Sequence, residues 1–562
     1  MISLKTGYRL QYQNTNLPTY THIIMKTLVY SLLVLLFLSC SSKNDDTSIN
    51  GNTDSYRLKD QNITAIQNES KKITLGDLKN SSGNILTYTV TPDSKITFTS
   101  EKNSIEYTSD QIGIETLNVT ATDGINTPIT AKINITVKEA ESTSFDLIEG
   151  YDFYDPKSDP NSPTVLLPGE SYTNPHYKTT VRRLTNPTQD GAGVSFMVNE
   201  YSRKQSFNID DTKILIYAED GFYHVYNIDG SHYKKLQGPA GDCEIDWHTT
   251  DPNIVIYTDN NGGLKYYELN ILTDEVKTII DFTKLADVKG DSNMTSIKQI
   301  WPEAARAWTK AEGTSSKNGR YRGLQIESEG FSFLGLIVYD QQENAIVGYL
   351  DKADYGDKPD HVSMSPSGDY IVPSSTQNGV GTRAYTRDFS SYVQLHRTSE
   401  HSDLGILPNG HDVYIAADYQ DNEGQIFMYD IQANQKTEFN HLYQYNSGGD
   451  KPINAVNHYS LKAFNKPGWA LLSTYSSANP LNEWAQNKLI AIELKQDGRI
   501  LNISNTYGDH AKFPGKNYWA ETKGSVNRDF TKIIFTSTWF AGRNEDSNAY
   551  IIELEPNQVP NL

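Results

Sequence analysis

The stretch Val362–Ser374 reads VSMSPSGDYIVPS. A short apolar strand, a Ser-Pro-Ser-Gly-Asp turn and a second strand make a compact hairpin. What decides the fold is that this unit returns. QSFNIDDTKILIY (205–217), IDWHTTDPNIVIY (245–257), GTSSKNGRYRGLQ (313–325), LGILPNGHDVYIA (404–416), SLKAFNKPGWALL (460–472) and GSVNRDFTKIIFT (524–536) follow the same plan, making seven. Further strands such as FYHVYNID, LKYYELNI, LIVYDQQ, QIFMYDI and KLIAIEL lie between them, placed like the third strand of a propeller blade. The spacing predicts an all-β chain with a seven-bladed β-propeller over 166–557. A larger sandwich or a β-helix would not explain a strand-turn-strand unit that keeps its Asp/Gly turn seven times. One stretch breaks the pattern: MTSIKQIWPEAARAWTKAE (294–312) is long and irregular, and a helix or a lid loop is expected in it.

Ahead of the propeller, residues 56–138 alternate in short strands. In ETLNVTATDG and ITAKINITVKE, Ile133, Ile135 and Val137 alternate with polar partners, and Thr122–Gly124 is a turn signal. A small β-sandwich is expected, joined to the propeller by a linker over 139–165. VTATDG resembles the cadherin-like and immunoglobulin-like modules of bacterial surface proteins, where such domains act as spacers.

The amino terminus carries its own information. MKTLVYSLLVLLFLSC, with an apolar run from Leu28 to Leu38 followed by Ser39 and Cys40, is too short for a spanning helix and fits an export signal. A small residue and a Cys at its end resemble a bacterial lipoprotein signal, which implies Cys40 as the lipidated first mature residue and residues 1–40 as extension plus signal. Met25, not Met1, is then the expected start. Residues 41–55 read as a polar tether. Its Asp45-Asp46 pair resembles the surface-export signal of Bacteroidota lipoproteins, implying a chain anchored in the outer membrane and facing outward; a plain flexible spacer is the alternative.

The chain has 562 residues, 69 acidic against 50 basic side chains and a formal charge of -19, so nucleic acid is not an expected partner. An anionic glycan remains compatible if basic groups gather in one cleft. With Cys40 used in processing, Cys243 is a lone thiol and no disulfide framework exists. Nothing in the sequence resembles a Gly-rich phosphate loop, a G-x-S-x-G elbow, an H-E-x-x-H motif or a paired-Cys site, which removes support for nucleotide chemistry, serine hydrolysis and zincin proteolysis.

In a propeller, residues just ahead of the repeated turns converge on one mouth of the central channel. Those positions hold Tyr201, Arg203 and Lys204; Cys243 and Glu244; Lys310 and Glu312; Asp360 and His361; His401 and Asp403; His458 and Tyr459; and Tyr518, Trp519 and Glu521, with His510 in a loop able to reach them. Only 12 His occur in the chain, yet three fall at equivalent positions. For each alone, a channel residue bonded to a backbone carbonyl is the plain reading; together with Arg203 and the Tyr they point to a site. His248 and His224 read as structural. His, Tyr and Arg around a channel suit proton abstraction beside a carboxylate.

The openings YSRKQSFN, HVSMSPSGDY, EHSDLG and YWAETKGSV resemble those of the seven-bladed β-propeller polysaccharide lyases, ulvan lyases in particular, with oligogalacturonate lyases more distant. The resemblance implies β-elimination on a uronic-acid polysaccharide; a monomer is expected. It also implies Arg203 as carboxylate neutraliser, His401 or His458 as base and Tyr201 or Tyr459 as acid; Lys204, His361, Tyr518 and Trp519 are expected to bind substrate. A divalent metal (Zn, Mn or Ca) is compatible with His361, His401, His458, His510 and Asp403, His510 and Asp403 being the ligands favoured. Arg203, Lys204, Arg306 and Lys310 should then line one mouth. The rival expectations are a non-catalytic surface glycan-binding lipoprotein and a scaffold for protein partners.

Overall fold

The computed structural model describes residues 58–562 apart from 68–69, 100–101, 139–144, 192, 377–378, 420–423, 444–454, 477–480, 510–516 and 541–546. The stretches expected to be an export signal and a tether, with Cys40, lie outside the described residues, as does His510. Among the described residues, no helix is long and apolar enough to cross a membrane. The chain divides into two compact units after Ser142.

The first unit is a sandwich of a four-stranded and a three-stranded sheet. Its main hairpin pairs Gly113–Thr122 with Ile129–Lys138, so that Leu117 faces Ile133 and Val119 faces Ala131. Alternation drives the pairing: Ile133, Ile135 and Val137 are buried with Leu117, Val119 and Ala121, while the intervening residues face outward. Asp123 closes the turn by accepting from the backbone N–H groups of Ile125 and Asn126.

The second unit, among the described residues, forms seven blades, each built on four antiparallel strands, with a fifth strand added to blades 3, 6 and 7. The innermost strands of blades 1 to 7 are Phe196–Val198, Ile245–Trp247, Ala304–Trp308, His361–Met364, Ser402–Ile406, Val456–Ser460 and Ser525–Val526. Blade 7 is completed from the other end of the unit, because Thr180–Arg183 pairs antiparallel with Ser547–Glu553. Phe196 and Met197 then pair in parallel with Ser547 and Asn548, which joins blade 7 to blade 1 and closes the ring. A blade built from strands at both ends of the unit leaves no open edge where the ring closes, so separating blades 1 and 7 is costly. Most of the core lies between neighbouring blades: Trp247 and Leu215 pack between blades 1 and 2, Ile415 and Leu472 between blades 5 and 6.

All seven repeated turns join first to second strands. Each also hydrogen-bonds a neighbouring blade. Asn208 Nδ2 donates to Pro252 O, Thr249 Oγ1 to Asn318 O, Lys317 N to Pro366 O and Ser367 N to Asp412 Oδ1. Gly468 N donates to Ile406 O, Asn465 N to Arg528 O, and Asn527 Nδ2 to Asp211 Oδ2. The recurring Asn, Asp and Gly therefore build a closed belt, because backbone groups in these turns need partners that a lone hairpin would not supply.

Two segments differ from expectation. In 294–312 the only helical turn is Ile297–Gln299, capped by Ser296, and the following Ala304–Trp308 is the inner strand of blade 3. Within 139–165, Ile148–Glu149 adds a fifth strand to blade 6 through Leu501 and Asn502, and Leu147 is buried beside it.

Candidate functional site

Arg203 is the hub of the channel mouth. It sits in the loop between the broken halves of the inner strand of blade 1 and is only 3% exposed. Nε donates to Ser402 O at 2.5 Å, Nη1 to Glu312 Oε2 at 2.8 Å, and Nη2 to Glu400 O and Ser402 Oγ, each at 3.3 Å. One guanidinium thus spans from blade 1 to blade 5 and to the loop after the inner strand of blade 3. Its face lies 5.0 Å from the Tyr201 ring centroid.

Tyr201 in turn meets His458 edge-on at 5.2 Å. His458 stacks between His401 at 4.4 Å and Tyr475 at 5.4 Å. His401 Nδ1 lies 2.8 Å from Asn457 O and His458 Nδ1 3.0 Å from Thr522 O. A carbonyl only accepts, so both Nδ1 atoms carry hydrogen and each neutral ring keeps its lone pair on Nε2. His458 Nε2 is buried without a hydrogen-bond partner, 3.7 Å from Glu521 Oε2. Burial pushes both imidazoles below the ordinary His value; for His458 the His401 ring and Lys523 act the same way. Burial pushes Tyr201 above the ordinary phenol value despite the Arg203 charge beside it. It also raises the Glu521 carboxyl.

A second cluster adjoins the first. Glu312, Asp360 and His361 place ligand atoms within 4.8 Å of one another. His361 Nδ1 is buried without a hydrogen-bond partner, and 3.7 Å from Asp360 Oδ2. The His361 ring, with Lys310 and Arg203, holds Asp360 below the usual carboxylate range. One imidazole and two carboxylates are a donor set that fits a divalent cation such as Mn²⁺, Zn²⁺ or Ca²⁺.

The structure brings together Tyr201, Arg203, Glu312, Asp360, His361, His401, His458 and Glu521. It places others elsewhere. Tyr459 follows His458 on one strand, so it points the opposite way and is wholly buried in the apolar layer between blades 5 and 6. Lys204 is buried against Asp246 at 3.2 Å and Glu244 at 3.7 Å, leaving its charge spent on protein carboxylates. Asp403 accepts from Lys462 Nζ at 2.8 Å and Leu461 N at 2.7 Å, so it is a buried ion pair, not a metal ligand. Trp519 is sandwiched between Phe196 at 4.6 Å and Tyr217 at 5.1 Å and offers no open face. Tyr518 is exposed at 41%, with Lys523 Nζ 3.0 Å from its ring centroid. Arg306 lies away from the mouth, donating to Asn261 O and Ser328 O, so the expected four-cation lining does not form. Lys310, 3.8 Å from Asp360, does stand there. His248 Nδ1 accepts from Asp251 N as a turn cap.

Sequence reasoning missed Tyr475 and Lys523. Tyr475 ends the second strand of blade 6 beside His458, a position no turn motif marks. Lys523 stands two residues beyond Glu521 in the irregular segment before Ser525–Val526, where no side-chain period marks its direction.

No protein-family model matches the sequence, and no curated protein matches it. Solved structures do. An oligogalacturonate lyase in complex with manganese shares 13% identity at a TM-score of 0.48, covering 69% of this chain and 96% of that one. The oligogalacturonate lyase of Vibrio parahaemolyticus gives 12% at 0.48 with the same coverage. The β-propeller domain of Cps50 from Myceliophteria thermophila gives 11% at 0.37, covering 64% and 99%. At this distance the likeness carries no argument for this chain, whose chemistry rests on its own side chains.

Proposed function

We propose that the chain is a polysaccharide lyase acting on a uronic-acid-containing anionic polysaccharide, ulvan being favoured, and leaving a 4,5-unsaturated uronate end. The observation that carries this is the pair of stacked imidazoles, each bonded to a backbone carbonyl through Nδ1 and with His458 Nε2 left without a hydrogen-bond partner, packed on Tyr201 beside Arg203. Both rings favour the neutral form that accepts a proton, and Tyr201 favours the protonated form that gives one. His458 or His401 takes the proton from C5, the freed electron pair forms the C4–C5 double bond, and the C4–O4 bond breaks. Tyr201 delivers a proton to the leaving oxygen. Arg203 places positive charge where the uronate carboxylate gathers negative charge as C5 ionises. Glu312, Asp360 and His361 would hold a divalent cation, which when bound adds positive charge at the same carboxylate. Tyr518, 41% exposed and with Lys523 over its ring, offers a partly exposed aromatic contact for a sugar ring. The protein is a monomer anchored at the outer membrane through Cys40, a reading supported by the stretch MKTLVYSLLVLLFLSC, and faces outward, a reading supported by the Asp45-Asp46 pair.

One feature favours a second reading, non-catalytic glycan binding at the cell surface: Arg203 already donates to four protein acceptors. The deciding experiment mixes residues 41–562 with ulvan and a panel of polyuronates, after chelation and again with added Mn²⁺, and follows near-ultraviolet absorbance. A rise reports the unsaturated uronate. Glycan retention without any rise on any substrate leaves the binding reading.

A further inference from the structure

Glu244 precedes the inner strand of blade 2 and is 3% exposed, an expensive place for a carboxylate unless its acceptors are filled. They are filled by one loop of blade 3. Thr309 N and Ala311 N donate to Oε1 at 2.7 and 2.9 Å, and Thr309 Oγ1 lies 2.9 and 2.7 Å from Oε1 and Oε2. Thr309 Oγ1 also accepts from Gly313 N at 3.0 Å, closing the loop on itself. Lys204 stands 3.7 Å from Oε2 as the buried counter-charge. Between those anchors, Lys310 and Ala311 are two consecutive residues in the left-handed region, at φ +64° and +61°. Neither is Gly, and such a pair does not persist without something holding it. Farther along, Gly313 has no room for a Cβ, which would meet Val362 O at 1.8 Å, so the far end of the loop is fixed on blade 4.

The loop carries two members of the site. Lys310 reaches Asp360 at 3.8 Å and Glu312 reaches Arg203 at 2.8 Å. We infer that Glu244 is the positioning residue of the channel site: its carboxylate holds residues 309–311 in the left-handed turn that sets Glu312 on Arg203 and Lys310 on Asp360. The catalytic consequence rests on the lyase reading; the conformational one does not.

The test uses Glu244→Gln, whose amide puts an N–H where the loop presents donors, and the double variant Glu244→Gln/Ala311→Gly. Glycine takes positive φ without steric cost, so it should let the turn form with a weaker clamp. Elimination by Glu244→Gln should fall about ten- to a hundredfold, mainly in kcat, and the double variant should recover about tenfold of that loss. Hydrogen exchange of the 305–316 segment, followed by mass spectrometry, should show faster exchange at Thr309 and Ala311 in the single variant, whatever the activity. Unchanged exchange in Glu244→Gln would overturn the inference. So would a loss of activity that Ala311→Gly deepens, since that marks Glu244 as a core support only. A wild type with no lyase activity but clamp-dependent exchange would sink the lyase reading and keep the clamp.

Discussion

Arg203→Ala is the perturbation whose outcome is most sharply set by the structure. The guanidinium makes four hydrogen bonds, one of them to Glu312, whose side chain is 37% exposed. Breaking a fully buried ion pair costs about 3–5 kcal/mol, and because Glu312 can turn toward water the lower end applies, about 3 kcal/mol. Arg203→Lys is gentler. An ammonium has three donors and no planar fork, so it can keep Glu312 and one carbonyl while losing two bonds to neutral acceptors, at about 0.5–1.5 kcal/mol each. Both variants should stay folded, with urea midpoints lowered in that order. If Arg203 also neutralises the substrate carboxylate, elimination should fall at least about a thousandfold in the Ala variant, equal to about 4 kcal/mol of transition-state stabilisation. The assay is initial rate by near-ultraviolet absorbance, run beside urea unfolding of the same samples. An Ala variant with lowered stability but kcat/KM within about threefold of wild type would refute the reasoning and leave Arg203 as a bracket between blades.

Other outcomes follow from the same geometry. Because burial lowers His401 and His458 and raises Tyr201, kcat/KM should hold flat through neutral pH, falling on the acid side only below the ordinary His value of about 6.5 and on the alkaline side only above about 10. An acid limb centred above about 6.5 would sink the neutral-base assignment. His458→Gln should lose about 10²–10⁴ of the rate if His458 is the base; a smaller loss than in His401→Gln would move that role to His401. Away from the site, burial lowers Lys488 to about 7, only partly opposed by Asp152. The unfolded chain, with Lys near 10.4, binds a proton that the folded chain releases, so stability from this group should rise between about pH 7 and about pH 10.4. Urea midpoints of Lys488→Met should lack that rise, and an identical slope in both proteins would show that Lys488 stays charged when folded.

Much of this was legible in the residues. The seven turns stand out because each must bring two strands around within a few residues, which restricts it to Asn, Asp, Gly, Pro and Ser; Ile133, Ile135 and Val137 show the sandwich because strand side chains alternate every second residue. From the blade count alone it follows that residues as far apart as Arg203, His361, His401 and His458 open on one channel. Direction within that channel was not legible. His458 and Tyr459 are neighbours in sequence, yet one faces the site and the other an apolar layer, and only the strand register decides which. Lys204 beside Arg203 looks like a second cation for an anionic ligand until the fold sets Asp246 and Glu244 against it. Sequence fixes which charges exist and how often turns recur, since both are local properties. Whether a charge meets a partner or stays open to a ligand depends on segments far apart in the chain, as Arg203 and Ser402 are, and that is settled by how the blades close into a ring.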